Sequence, residues 1–264
     1  MVVRSVTWLA LISLVGAGYL LVRRARCWKN QKDPTQAEPL RPYLLSPPAR
    51  DPKHRENRPV RERAQNWKPP DRTAIEDFGR VFGSSNSELQ RRSKHVAAFS
   101  IAIARTLGLS REEIGVIARG AFLCDIGMPG AILRKTGALT PEEIAAMRQH
   151  CYRGCEMLEK HPDLSDAAEI VYSHEEWFDG TGYPRGLKGD DIPLGARIVS
   201  VADILDALAF APPQSRRQSL QETRQEISHR SGRQFDPKIV EVFLTLPENI
   251  WGDLCAEIGS SPSY

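Results

Sequence analysis

The stretch from Tyr172 to Asp203, YSHEEWFDGTGYPRGLKGDDIPLGARIVSVAD, constrains this chain more strongly than any other segment. It opens with one imidazole and two carboxylates at 174–176, continues into a turn rich in glycine, and closes in an apolar run. Glycine adopts backbone angles closed to other residues and proline fixes φ, which predicts a loop held in one shape. A shaped loop beside candidate metal ligands predicts a functional site.

Helix signals surround this loop on both sides. Apolar residues recur at helical spacing from about 86 to 107, and Gly108 suits the helix end. Ser110 with Glu113 and Thr140 with Glu143 are capping-box patterns, which predict helices ending near 123 and 160. Further helix starts are predicted at 165, 193, 219 and 236, and only 179–192 is predicted to be non-helical. Residues 73–250 are therefore predicted to form an all-α domain, with a C-terminal tail at 251–264.

A run of 18 uncharged, mostly apolar residues, Ser5–Val22, lies close to the N-terminus. Its length approaches the roughly 20 residues with which a helix crosses a bilayer. Four basic residues follow between 23 and 29, where a cleaved signal peptide would have a small-residue cleavage site. The pattern predicts a single-pass transmembrane anchor at 5–22 in the inner membrane, with residues 1–4 outside and the C-terminal domain in the cytoplasm.

Residues 23–72 lose the apolar pattern and hold nine of the chain's 19 prolines. Such a segment buries too little surface to offset its ordering entropy, which predicts a disordered linker. It has 14 Lys and Arg against six Asp and Glu, about +8, whereas residues 73–264 have 21 against 27, about −6. We expect the basic linker to lie on anionic lipid beside the anchor. A nucleic-acid arm is the rival interpretation, but no structured basic motif accompanies it, so nucleic acid is not among the expected partners.

The overall composition is that of one globular domain with appendages. The chain has 264 residues, of which 41% are apolar and 26% are charged. Its five cysteines are odd in number and form no CxxC pair, which favours reduced thiols in a cytosolic environment over disulfides.

Several short segments carry a resemblance to one family. The most specific is the loop DGTGYPRGLKG at 179–189, and FLCDIG at 122–127, MRQHCYRG at 147–154 and ARIVSVADILDAL at 196–208 accompany it. Together they resemble the HD-GYP domains, a branch of the HD metal-dependent phosphohydrolases associated with hydrolysis of the bacterial second messenger cyclic di-GMP. The resemblance covers about 86–246 and implies an HD-like helical bundle with a GYP loop.

The resemblance also implies a metal centre. Its ligand positions fall on Asp125, His150, His174, Glu175 and Asp203, and Asp125 is in addition the implied catalytic residue. Hydrolysis of a phosphodiester needs cations to neutralise phosphate oxygens and to supply hydroxide near neutral pH. Among divalent metals, iron or manganese is expected ahead of zinc, and a domain without metal is the alternative.

The loop itself is implied to contact the nucleotide. Gly182, Tyr183, Pro184 and Arg185 keep a surface able to stack on or contact a guanine nucleotide such as cyclic di-GMP. A purely structural cap over the helices is the other interpretation.

The chain departs from the family at Arg92, where the resemblance places a histidine ligand. A guanidinium is permanently cationic and cannot donate a lone pair to a metal. Two interpretations follow: Arg92 pairs with Asp125 or Asp203 in place of a metal, or it points to solvent. A third hypothesis has His95, three residues further on, compensate as a ligand.

Two further positions are degenerate. Cys124 replaces the histidine of the name-giving His-Asp pair, and it is either a thiolate ligand or a small buried apolar residue, of which the second is favoured. Met128 replaces a lysine that the resemblance assigns to the scissile phosphate, and its side chain supplies no charge.

These departures compromise two-metal activation of water. The sequence therefore predicts a membrane-anchored, degenerate HD-GYP protein of cyclic di-GMP signalling, which acts by binding nucleotide or a signalling-protein partner. The alternative is an active, metal-dependent cyclic di-GMP phosphodiesterase with altered ligands. Another phosphohydrolase substrate is the third hypothesis.

Overall fold

The structure, a computed structural model, describes residues 87–133, 135, 137–211 and 217–259. The predicted anchor at 5–22 and the predicted linker at 23–72 lie outside these residues. Among the helices that are described, none combines the length and apolarity needed to cross a bilayer.

Within the described residues, the regular elements are α-helices, together with one 3-10 turn at Gly189–Asp191 and an isolated bridge between Ser231 and Phe235. The prediction of an all-α domain is confirmed. In chain order the helices are α1 Ser87–Leu107, α2 Arg111–Leu123, α3 Gly130–Leu133, α4 Pro141–Arg148, α5 His150–Glu159, α6 Ser165–Ser173, α7 Leu194–Ala209, α8 Leu220–His229, α9 Pro237–Thr245 and α10 Asn249–Gly259.

Side-chain caps begin the helices at the predicted places. Ser110, Thr140 and Ser219 each accept a hydrogen bond from the backbone N–H three residues on, and the carboxylate of the glutamate there accepts one from the backbone N–H of the cap residue. Asp236 accepts from the Lys238 backbone N–H at the start of α9. Each cap satisfies backbone N–H groups that the helix leaves unpaired, which is why a local pattern predicts these boundaries.

The single helix predicted from about 141 to 160 is wrong, because α4 and α5 are separated at Gln149. At this break the Met147 carbonyl accepts from the Gln149 backbone N–H, and the Nδ1 of His150 lies 2.7 Å from the same oxygen. The break places His150 in the first turn of a new helix.

Helix α7 lies at the centre of the domain and contacts α1, α2, α6, α8 and α9. It is buried from Gly195 to Leu208, and two carboxylates, Asp203 and Asp206, are buried with it. A buried carboxylate needs a partner, because removing its charge from water is costly. The helix that crosses these aspartates is α1, which carries the basic residues described below.

The domain extends past the boundary predicted at 250. Helix α10 buries Trp251 and Leu254, and the Trp251 ring meets that of Phe99 edge-on at 5.5 Å between centroids. Residues 251–259 therefore belong to the helical core, which corrects the predicted tail. The apolar face of this one short helix is too weak a sequence pattern to predict that the helix packs against the core.

Candidate metal centre

The ends of three helices bring five potential metal ligands together. The ligand atoms of His150, Cys151 and His174 all lie within 4.8 Å of one another, and those of Cys124, Asp125 and His174 form a second such group. Cys124 lies at the C-terminal end of α2 and is followed by Asp125. His150 and Cys151 begin α5, and His174 lies at the C-terminal end of α6.

A glycine allows the close approach between the end of α2 and the start of α5. A Cβ at Gly127 would lie 2.2 Å from the carbonyl oxygen of His150 and 2.5 Å from the backbone nitrogen of Gly154. Any other residue would push the turn after Asp125 away from α5. The DIG sequence therefore sets the distance between the carboxylate and the imidazoles.

The two imidazoles point their Nε2 atoms at each other. Nδ1 of His150 lies 2.7 Å from the Met147 carbonyl, and Nδ1 of His174 lies 2.8 Å from the Val171 carbonyl. A carbonyl only accepts, so each Nδ1 carries a proton, and Nε2 is the atom through which each ring would bind a metal. The two Nε2 atoms are 3.2 Å apart. Facing lone pairs repel unless a cation lies between them, and backbone carbonyls on Nδ1 are the usual supports of metal-ligating histidines.

Protonation of the His150 ring is disfavoured by its surroundings. Burial lowers the pKa of His150, and the neighbouring His174 lowers it further, against the opposing effect of Asp125. The Nε2 lone pair of His150 is therefore available near neutral pH.

Arg92 supplies a fixed cation next to this cluster. Its Nε donates to Asp125 Oδ2 at 3.0 Å, one terminal nitrogen donates to Asp203, and the other lies 3.4 Å from Asp206 Oδ2. The interpretation in which Arg92 pairs with Asp125 or Asp203 is confirmed, and the one in which it points to solvent is wrong.

The ionisation of these groups follows from their pairing. Burial by itself would raise the pKa of the Asp125 carboxyl, but the Arg92 guanidinium, with His150 and His174, holds it well below its usual range. Burial alone would lower the pKa of Arg92, and the Asp203 and Asp125 carboxylates raise it well above its usual range. The Arg92 guanidinium and the Asp125 carboxylate are therefore both charged across the physiological range.

A second arginine and a histidine complete the network around Asp206. His95 Nδ1 lies 2.7 Å from Asp206 Oδ1, and Arg91 Nη1 lies 3.3 Å from the same oxygen. This contact assigns His95 to Asp206 and not to either donor group, which argues against His95 as a substitute ligand.

Two of the predicted ligands lie outside both donor groups found among the described residues, namely Glu175 and Asp203. Asp203 pairs with Arg92. The Glu175 carboxylate is close enough to reinforce the effect of burial, which raises the pKa of the Cys151 thiol well above its usual value. Direct ligation by these two carboxylates stays a prediction.

The glycine-rich loop is anchored from beneath by Glu176. Its buried carboxylate accepts from the backbone N–H of Arg185 at 2.7 Å and of Leu187 at 3.1 Å. A Cβ at Gly182 would lie 2.2 Å from the Trp177 backbone nitrogen. The glycines at 180 and 186 take φ of +87° and +69°, which other residues rarely adopt. The predicted single shape of the loop follows from these contacts.

The aromatic and basic side chains of the loop contact neighbouring helices. The Arg185 guanidinium pairs with Glu169 and lies 4.6 Å from the centroid of the Tyr172 ring. The Arg148 guanidinium, at the end of α4, lies 5.5 Å from the centroid of the Tyr183 ring. Nucleotide contact by the loop stays a prediction, and Arg148 joins the candidates.

Three residues have roles to which the sequence pattern did not point. They are Arg148, Cys151 and Glu176. Cys151 stands beside a predicted ligand, so adjacency was the available signal, whereas Asp206, one turn after Asp203, is expected from the sequence to be structural and pairs with Arg92 and His95. The sequence pattern did not indicate that the side chain of Glu176 points into the loop or that the side chain of Arg148 lies over Tyr183.

The fold and the cluster define a helical domain built around a buried site of imidazole, thiol and carboxylate groups. A family model described as "HD domain" matches residues 80–239. The chain belongs to the HD domain family. The resemblance to that family on which the sequence prediction rested is confirmed.

Two curated relatives within the HD domain family have named activities. A cyclic di-GMP phosphodiesterase of Thermotoga maritima is 40% identical over 168 residues, which cover 62% of this chain and 46% of the relative. A cyclic di-GMP phosphodiesterase response regulator of Xanthomonas campestris pv. campestris is 39% identical over 167 residues, covering 61% and 43%. The chain thus spans less than half the length of these relatives.

A solved structure shares the fold. The crystal structure titled for the cyclic GMP-AMP specific phosphodiesterases in V. cholerae aligns with a TM-score of 0.51 at 24% identity. The alignment covers 65% of this chain and 49% of that one. At this identity the likeness concerns the fold alone.

HD domain phosphohydrolases are metal-dependent, and the residues of this chain fit one such ion. The evidence for this fit is that the Nε2 atoms of His150 and His174 face each other, because a cation bound between them would remove the repulsion of their lone pairs. Among the neighbouring aspartates, Arg92 already supplies a positive charge.

Proposed function

We propose that this chain is an HD-GYP domain protein of cyclic di-GMP signalling that binds the nucleotide, or a signalling protein, without hydrolysing cyclic di-GMP. The observation that carries the proposal is the contact of Arg92 with Asp125, Asp203 and Asp206. A divalent ion placed among these carboxylates would lie a few ångströms from a permanent cation, and the repulsion would oppose its binding.

The residues that remain divide into two roles. His150, His174 and Asp125 would hold one divalent ion, which when bound supplies a Lewis acid and positive charge for a phosphate. Arg92 orients Asp125 and supplies a fixed positive charge in the same pocket. Met128 provides no donor or charge in the place of the phosphate-contacting lysine. Transition-state charge would therefore go largely unneutralised, which favours binding over turnover.

The loop supports the binding role. Tyr183 offers a flat ring, and the guanidinium of Arg148 lies over it at 5.5 Å. Aromatic rings stack on nucleobases, and guanidinium groups pair with phosphate oxygens. Because both relatives described above are named cyclic di-GMP phosphodiesterases, cyclic di-GMP is the ligand that we propose first.

The experiment uses the purified full chain with iron, manganese or zinc supplied. We expect calorimetry to detect heat on titration with cyclic di-GMP, while chromatography detects no linear product. Tyr183→Ala should weaken binding by about 1–3 kcal/mol, the range for a lost base-stacking contact. Tyr152→Ala, whose exposed hydroxyl bonds Glu156 outside the loop, is the matched control. Turnover that Asp125→Ala abolishes would overturn the proposal, and absence of heat would leave only a protein partner.

A second candidate is an active phosphodiesterase with altered ligands. The observation that favours it is the survival of a complete donor cluster around His150 and His174. The same turnover assay decides between the two candidates.

We propose in addition that residues 5–22 anchor the protein in the inner membrane with its helical domain in the cytoplasm. The support is the run of 18 uncharged residues followed at once by basic residues. Recovery of the full chain in an alkaline-washed membrane fraction is expected, and recovery in the soluble fraction would refute the anchor.

A further inference from the structure

We infer that Arg197 is a positioning residue for the glycine-rich loop, because it joins Asp190, directly after the loop, to the residue that begins α9. Arg197 lies in the first turn of α7. The inference deepens the binding role of the loop, and it rests on the proposed function only where it concerns the affinity for nucleotide.

A single nitrogen of Arg197 makes both contacts. Nη1 donates to Asp190 Oδ1 at 2.6 Å and to Asp236 Oδ2 at 2.7 Å. The other oxygen of Asp236 accepts from the Lys238 backbone N–H at 2.8 Å and so caps α9. The guanidinium therefore connects the segment after the loop to the start of a packed helix.

The beginning of the loop is held by the connection between α8 and α9. The backbone N–H of Phe178 donates to the Gln234 carbonyl at 3.2 Å, and that of Asp179 donates to the Arg233 carbonyl at 2.9 Å. At the other end of the loop, the Gly189 backbone N–H donates to the Phe178 carbonyl at 2.9 Å. Both ends of the loop are therefore joined to each other and to this one connection.

The two carboxylates depend on Arg197 to different degrees. The side chains of Asp236 and Arg197 are 3% and 8% exposed, so each buried charge needs the other. The side chain of Asp190 is 80% exposed and would be hydrated without a partner. Since Asp236 alone neutralises the guanidinium, the contact with Asp190 is not needed to bury the arginine. Its effect falls on the loop.

A loop that is held in its binding shape before the ligand arrives has less ordering entropy to lose on binding. Glu176 holds the backbone N–H groups of Arg185 and Leu187, and Arg197 holds the side chain of Asp190. Without the contact to Asp190, we expect the end of the loop to open locally while the domain stays folded.

The test compares Asp190→Ala with Asp191→Ala in the full chain. Both variants lose an exposed carboxylate from the same 3-10 turn, but within the part of the chain that the structure describes only Asp190 pairs with Arg197. Without nucleotide, the Gly189 N–H should exchange with deuterium about tenfold faster in Asp190→Ala, as for a lost hydrogen bond to a charged group that is partly screened by water. Asp191→Ala should leave this rate unchanged.

Two further rates separate positioning from general stability. The Val240 backbone N–H, which donates to the Asp236 carbonyl in the first turn of α9, should keep its rate in Asp190→Ala. Arg197→Met should speed exchange at Gly189, and adding Asp190→Ala should speed it no further, because both changes remove one contact. A faster rate at Val240 in Asp190→Ala, or additive effects at Gly189, would show that Arg197 does not act through Asp190.

Calorimetry then measures the effect on the ligand. Asp190→Ala should weaken binding of cyclic di-GMP about three- to tenfold, the scale of the ordering cost of a side chain on binding, and Asp191→Ala should not. An unchanged Gly189 rate, or a faster rate with unchanged affinity, would overturn the inference. An unaltered chain that gives no heat contradicts the proposed function instead, and the exchange rates still decide whether Arg197 holds the loop.

Discussion

Replacing Arg92 with methionine removes the cation that three carboxylates share while keeping much of the side-chain volume. The Arg92 side chain is 20% exposed, whereas those of Asp203 and Asp206 are 6% and 1% exposed. Removing one partner of a buried ion pair costs about 3–5 kcal/mol, because an uncompensated charge is left behind. We expect Arg92→Met to lower the free energy of unfolding by about 3 kcal/mol, at the lower end of this range, since Arg92 retains some contact with water and Arg91 still neutralises Asp206.

The assay is thermal and urea unfolding of the full chain at pH 7, with and without manganese. For a domain of this size a loss of 1 kcal/mol lowers Tm by roughly 2–4 °C, so Arg92→Met should melt about 6–12 °C lower. The freed carboxylates are hard oxygen ligands, which suit manganese. At a concentration of about 100 times its Kd, manganese should raise the free energy of unfolding of the variant by about 2.7 kcal/mol. Arg92→His should gain bound metal for the same reason.

Arg91→Met is the matched control. Arg91 pairs with Glu88, whose side chain is 47% exposed, and reaches only one buried carboxylate, that of Asp206 at 3.3 Å, which keeps Arg92 as a second partner. Its loss should therefore cost less than the loss of Arg92, because exposed ion pairs contribute only about 0–1 kcal/mol. An Arg92→Met variant that loses no more stability than Arg91→Met, and whose Tm manganese does not shift, would contradict this prediction. That result would mean that the guanidinium does not hold the carboxylates together.

Three further outcomes follow from contacts around the site. Gly127→Ala places a Cβ against the His150 carbonyl, so we expect a lower urea midpoint, worth about 1–3 kcal/mol, together with less bound metal. Glu176→Gln exchanges a carboxylate acceptor for an amide, and the backbone N–H of Arg185 should exchange with deuterium about tenfold faster, as for a lost bond of about 1.4 kcal/mol. The Asp125 pKa is lowered in the folded state, so its stabilising contribution is present above the ordinary carboxyl pKa of 3.8 and is lost as the pH falls towards the folded value. Unfolding measured from pH 6 downwards should be less pH-dependent in Asp125→Asn, and an unchanged slope would contradict this.

The helices and the loop could be predicted because their signals are local. Ser110, Thr140 and Ser219 each bond a backbone group three residues away, so each pattern contains the whole interaction. The loop is equally local, since glycines at fixed positions set its backbone angles. The donors Asp125, His150 and His174 were found through the spacing of family motifs.

The partners of Arg92 and the break at Gln149 were decided by the tertiary structure. Arg92 bonds aspartates 33, 111 and 114 residues further along the chain, and a one-dimensional pattern left both pairing and solvent exposure open. Cys151 was visible in the sequence, but only the tertiary structure brings its sulfur within 4.8 Å of the donor nitrogen of His174. The amino-acid sequence by itself determined which chemical groups this protein has and where the helices with side-chain caps begin. The packing of those helices decided which groups meet, because a carboxylate buried in a common core needs a cation or hydrogen-bond donors around it.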